Sequence, residues 1–184
     1  MLEQLKKFFF RRALTQRLAA LDTFARQPRA YTDAHNIGIL VDATHAEDRA
    51  TVVRYVEKLR NEGKHVEVRG YMATKAPTDA FAFKCLNLRS LDWSGMPKEE
   101  ATDTFCQTSF DILLNLYTRP YAPLEVMSAL AKAHLRTGAT NAVTDWANIP
   151  AFDLHIDLGN DNSLPHLIEQ TDFYMRWVNK VSEQ

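Results

Sequence analysis

From residue 36 onward the chain alternates between short, almost wholly apolar runs and longer stretches whose apolar residues recur every three or four positions. Asn36-Ile-Gly-Ile-Leu-Val-Asp42 is nearly continuous in apolar residues, the mark of a parallel strand covered on both faces. Between Ala46 and Glu62 apolar residues return at Val52, Val53, Val56 and Leu59, Glu47 and Asp48 occupy the first turn, and Gly63 is placed to end the helix in a left-handed conformation. A second strand at His65–Tyr71 completes a βαβ unit over residues 36–71.

Downstream, Cys85, Leu86 and Leu88 place a third strand within 82–89, and Pro97 opens a short helix running to about Ser109. Leu91-Asp-Trp-Ser-Gly-Met-Pro97 reads as a turn with the Trp93 ring inside it. Phe110–Leu116 is a second central strand, and Pro123–Leu135, apolar almost all round, is expected as a deeply packed helix. Short strands are expected at 135–140 and 153–158. The final helix, Ser163 to Val181, carries a core stripe of Leu164, Ile168, Thr171, Met175 and Val178, with Phe173 and Trp177 on the opposite face. Strands alternating with helices predict an α/β fold, a doubly wound three-layer sandwich of five or six mostly parallel strands. The expected division is a basic amphipathic helical arm at 1–30 and a Rossmann-like α/β domain at 31–184.

With 184 residues, 46% of them hydrophobic, the chain has the material for one core, and no apolar run approaches the ~20 residues of a membrane span. A near-neutral total hides an asymmetry. Of 22 Lys and Arg and 23 Asp and Glu, seven cations but only Glu3 and Asp22 fall in residues 1–30, giving the arm +5 and the remainder -6. Such an arm can dock on its own body, on an anionic membrane surface, or on RNA through Lys6, Lys7, Arg11 and Arg12. Leu2, Leu5 and Phe9 share one face with Lys7 and Arg11 opposite, but Leu14 and Leu18 fall on the line of Lys7 and Arg11, so a bent helix or two short ones are expected. The N-terminus is no secretory signal, because Arg11-Arg12 interrupts the apolar run after Phe8-Phe9-Phe10; a cytoplasmic location follows, with peripheral membrane contact open through the arm.

Neither central strand is followed by G-x-x-x-x-G-K-[ST] or G-x-G-x-x-G, and Glu47 and Asp48 would repel a phosphate at the first domain helix. The six His fall in separate elements, so no metal site is expected, and no cofactor is assigned. Ligands of open α/β sheets bind beyond the carboxyl ends of the strands where strand order reverses. The candidate ligand residues are therefore Asp42, Thr44 and His45 after the first strand, and Asn115, Tyr117 and Arg119 with Thr118 and Tyr121 after the fourth. Asp42 and Asn115 are expected to share one ligand. Competing with this, Asp42 and Thr44 cap the next helix, Asn115 satisfies backbone groups and Arg119 is solvated.

The runs Asn36–Ala43, Leu91–Lys98, Phe110–Leu116 and Pro123–Leu130 resemble those of a bacterial family of short α/β proteins designated a domain of unknown function, over about residues 30–180 and including the basic leader. More distantly, Phe110–Ala139 is similar to the acceptor-side, N-terminal half of heptosyltransferase-type glycosyltransferases, although 184 residues leave no room for their sugar-nucleotide domain. Two functions follow as expectations. One is a binding or adaptor module, with a protein partner or a second copy covering Phe173 and Trp177 unless the arm does so, and without sequence-specific DNA binding. The alternative is a protein that binds or transforms a small sugar or phosphorylated metabolite in the crevice.

Overall fold

In the computed structural model, which describes residues 2–21, 24–27, 29–144, 149 and 152–181, six parallel strands form one sheet. They are β1 (Asn36–Asp42), β2 (His65–Tyr71), β3 (Lys84–Leu86), β4 (Ser109–Leu116), β5 (Lys132–Ala139) and β6 (Leu154–Ile156), in the order β3-β2-β1-β4-β5-β6. The helices are α1 (Leu2–Ala19), α2 (Ala46–Asn61), α3 (Glu99–Gln107), α4 (Ala122–Leu130) and α5 (Leu164–Val181). Right-handed crossovers leave the β1–β4 pair in opposite directions and so set α2 and α4 on opposite faces. α5 packs beside α2, and α1 and α3 pack on α4, giving the three layers.

β1 and β4 are central because their side chains are buried from Ile37 to Asp42 and from Phe110 to Leu116. Ile37 faces Ile112 and Ile39 faces Leu114 across the pair, so neighbouring apolar side chains fill one face layer by layer. Val52, Val56 and Leu59 of α2 close over the core, and Gly63 at φ +80° makes the expected left-handed exit toward β2.

Several elements differ from expectation. α4 stops at Leu130, and the chain enters β5 at Lys132. Ala131-Lys-Ala-His-Leu135 alternates apolar and polar residues as a strand does, and pairing of Lys132 and Ala133 with Ser109 and Phe110 takes this second half into the sheet. The buried Arg136 guanidinium then donates to the carbonyls of Ala129 in the last turn of α4 and Ala131 just beyond it, a favourable place for a cation. α3 begins at Glu99, because Pro97 is used in an antiparallel bridge with Leu91. Trp93 lies outside its turn, 57% exposed, rather than within it.

Within the arm, Leu2–Ala19 is one uninterrupted helix and not two short ones. Phe10 and Leu14 bury themselves against the domain, while Arg17 donates to the Pro97 carbonyl at 2.7 Å and the Thr102 hydroxyl at 2.9 Å. These contacts hold α1 on the α4 layer, so it does not cover Phe173 and Trp177, which stand on α5 at 58% and 54% exposure. The Val178 side chain lies outside the described residues. Past the helix, Arg26 pairs with Asp153 and Arg29 with Asp111, tying the connecting segment to the amino edge of the sheet.

Candidate functional site

Strand order reverses between β1 and β4, and at the carboxyl ends of those two strands the structure opens a cleft of about 680 Å³. β1 delivers Asp42 to its floor, and the first turns of α2 bring Glu47, Asp48 and Thr51 to one wall. The end of β4 supplies Tyr117, Thr118 and Arg119. The opposite wall is made by Asn141 beyond β5 and by Asn162, Ser163, Leu164 and Pro165 at the start of α5.

Asp42 is held from both sides. Its Oδ1 accepts the Thr44 amide at 3.0 Å and the Thr44 hydroxyl, while Oδ2 accepts the Tyr121 hydroxyl and lies 3.9 Å from the Arg119 guanidinium. The loop that follows is equally fixed. Ala43 donates its amide to the Tyr71 carbonyl at 2.9 Å, and Arg49 donates to the carbonyls of Ala43 at 2.7 Å and Thr44 at 3.1 Å. Burial and the bond to Asp42 push the Tyr121 phenol up to about 12, so it remains a proton donor toward the carboxylate through the neutral range. Burial also raises the Asp48 carboxyl, with neighbouring Asp42 and Glu47 adding repulsion.

The candidate residues separate in space. Asp42, Tyr117, Thr118 and Arg119 line the cleft, whereas Thr44 is spent on Asp42 and His45 is exposed at the entry to α2 without capping it through its side chain. Asn115 is not brought to the cleft. It pairs in register with Leu40, one pleat below Asp42, where its Nδ2 donates to the Thr137 carbonyl at 2.8 Å and its Oδ1 accepts the buried Tyr117 hydroxyl at 3.4 Å. Burial drives that phenol far above its ordinary range. Sequence reasoning missed Asn141 and Asn162, whose side chains bond to each other at 2.7 Å. The carboxyl-edge rule, applied to β5 and β6 as well as to the central pair, would have found both.

Three carboxylates, hydroxyls and amides face one guanidinium in this cleft. Acceptors cluster on the α2 side. The α5 side offers amides and the Ser163 hydroxyl, which itself accepts the His166 amide at 3.4 Å, and α5 has no acidic residue in its first turn. A phosphate placed on α2 would meet Glu47 and Asp48, whereas hydroxyl or ammonium groups would be accepted there. Among the described residues, no three His, Cys, Asp or Glu side chains come together to hold a metal ion.

Residues 6–177 match a family model described as a family of unknown function, DUF6913. The chain belongs to that family. The resemblance drawn from the strand and turn motifs thus holds at the level of family, and the match takes in α1 from Lys6 and α5 as far as Trp177, so most of the arm and the aromatic face of the DUF6913 chain lie within the family's extent. No curated protein matches it.

Proposed function

We propose that the chain is a small-molecule-binding domain whose switch-point cleft takes a compact hydroxylated or amine-bearing ligand, such as a sugar or amino sugar, inside a bacterial cytoplasm. The observation that carries this reading is the open cleft of about 680 Å³ at the reversal of strand order, with carboxylates on the α2 wall and amide and hydroxyl groups on the α5 wall. Binding is favoured over turnover because both oxygens of Asp42 already accept protein hydrogen bonds, leaving it a positioned group and not a free base.

Thermal denaturation of the full chain with glucosamine, a neutral hexose or inorganic phosphate tests it. Glucosamine or the hexose should raise Tm in the parent and not in Asp48→Asn or Arg119→Ala; stabilisation by phosphate alone, or equal stabilisation of parent and variants, would refute the assignment.

A second reading, an adaptor, is favoured by one separate observation: Phe173, Tyr174 and Trp177 form an exposed aromatic line on the α2–α5 layer. A protein partner or a second copy would cover it. Phe173→Ser with Trp177→Ser should lower the assembly mass in sedimentation if this face pairs two copies, and an unchanged monomer in both would exclude the dimer.

A further inference from the structure

α1 carries two apolar stripes, and only one of them is buried. Phe10 and Leu14 fix the helix to the domain, while Leu2, Leu5, Phe8 and Phe9 remain exposed roughly 130° further round the axis. The domain extends this second stripe. Trp93, from a turn 84 positions away, meets Phe9 edge-on with ring centroids 5.2 Å apart. Its turn is rigid: Asp92 accepts the amides of Ser94 at 2.8 Å and Met96 at 3.1 Å, and Gly95 supplies the left-handed φ of +93°. The result is a preformed patch of two Leu, two Phe and one Trp.

Charge identifies what fits it. By helical position Lys6 and Arg12 flank the Leu2–Leu5–Phe9 stripe on its two sides, whereas Lys7 and Arg11 lie on the opposite side of the helix. Glu3 is the one acidic residue in the helix, and its contact with Lys6 at 3.7 Å is a surface pair of little strength. Exposed aliphatic and aromatic side chains bordered by cations, with a Trp at the margin, match the interface of an anionic bilayer, where the rings enter the headgroup boundary and the long cationic chains reach to the phosphates. RNA would use the cations and could stack on the rings, but it has no use for Leu2 and Leu5. Among the described residues no helix is long and apolar enough to cross a membrane, so contact of this kind would lie on the surface.

We infer that the exposed stripe of α1, together with Trp93, docks the domain flat on an anionic membrane surface. The inference is independent of the cleft and of its ligand.

The test is co-sedimentation of the full chain with phosphatidylcholine vesicles prepared with and without phosphatidylglycerol, beside filter binding to a single-stranded RNA. Partition should be at least about tenfold stronger onto the anionic vesicles, and Phe8→Ser with Phe9→Ser should reduce it at least about tenfold with the circular dichroism unchanged. Leu2→Ser with Leu5→Ser probes the same stripe should the first pair disturb folding. Lys6→Gln with Arg12→Gln should weaken binding several-fold at low salt. In a chain with Trp146→Phe and Trp177→Phe, Trp93 emission should shift to the blue and be quenched by brominated lipid. No vesicle binding, vesicle binding indifferent to both apolar pairs, or RNA binding without vesicle binding would each overturn the proposal.

Discussion

At the amino ends of β1 and β4 the buried Asp111 carboxylate accepts the amides of His35 at 2.7 Å and Asn36 at 2.9 Å and the Arg29 guanidinium at 2.9 Å. Nearby, the buried Lys64 ammonium donates to the carbonyls of Tyr31, Thr32 and Ala34. At the carboxyl ends of the same strands Asp42 is held as firmly, but around it Asp48, Thr118 and Arg119 line an open cleft. The amino end sets two cations against one carboxylate and the carboxyl end three carboxylates against one guanidinium, and the two ends differ also in what satisfies those charges. At the amino edge the partners are backbone groups of the chain itself, which makes those side chains part of the fold; at the carboxyl edge polar atoms are left facing the cleft, which is what recognition requires.

The comparison breaks most visibly through Asp111. Asp111→Ala leaves two strand-entry amides without an acceptor and should cost about 2–3 kcal/mol in urea denaturation, with ligand responses at the cleft unchanged in the fraction that folds. Lys64→Ala should cost about 1–2 kcal/mol for the same reason, having stripped three carbonyls of their donor. Next in size is the acid limb. Burial alone would raise the Asp111 carboxyl, but the amides of Asn36 and His35 and the Arg29 charge hold it below its ordinary value. A carboxyl lowered on folding contributes stability above the unfolded-state value near 3.9 and loses it as pH falls through the lower folded value, so denaturation below about pH 4 should be shallower in Asp111→Asn. The smallest stability effect belongs to the other end: Arg119→Ala, at an exposed side chain, should change unfolding by no more than about 0.5 kcal/mol while abolishing ligand stabilisation. Equal stability losses at Asp111 and Arg119 would erase the distinction between the two edges.

Much of this was legible before the structure. The uninterrupted apolar runs of β1 and β4 and the acidic start and glycine exit of α2 state their elements plainly, because burial on both faces and helix ending have local signatures. The end of α4 was missed because the apolar face of the helix runs straight on into Ala131-Lys-Ala-His-Leu135, whose alternation of apolar and polar residues marks the strand. Asp42 and Arg119 reached the cleft because they stand at or beyond strand ends. Asn115 did not, because a position two residues earlier on the same face lies beneath the edge and inside the packing. On α1 the helical wheel revealed a change of stripe, which reads as a bend only if every apolar stripe must be buried. The structure buries one and leaves the other bare.

The central pairing of the sheet also sets a schedule for synthesis. Ile37 of β1 aligns with Ile112 of β4, 75 positions later, whereas its other neighbour, Val66 of β2, follows after 29. At ~5–20 residues per second the ribosome delivers β4 roughly 4–15 s after β1. During that interval a β1–α2–β2 unit can close on one side, while the inner edge of β1 presents unpaired amides and apolar side chains to whatever is nearby. The nascent chain is therefore most vulnerable to misassociation at the very strand that later carries Asp42, and its greatest need of a chaperone falls between the emergence of β2 and that of β4.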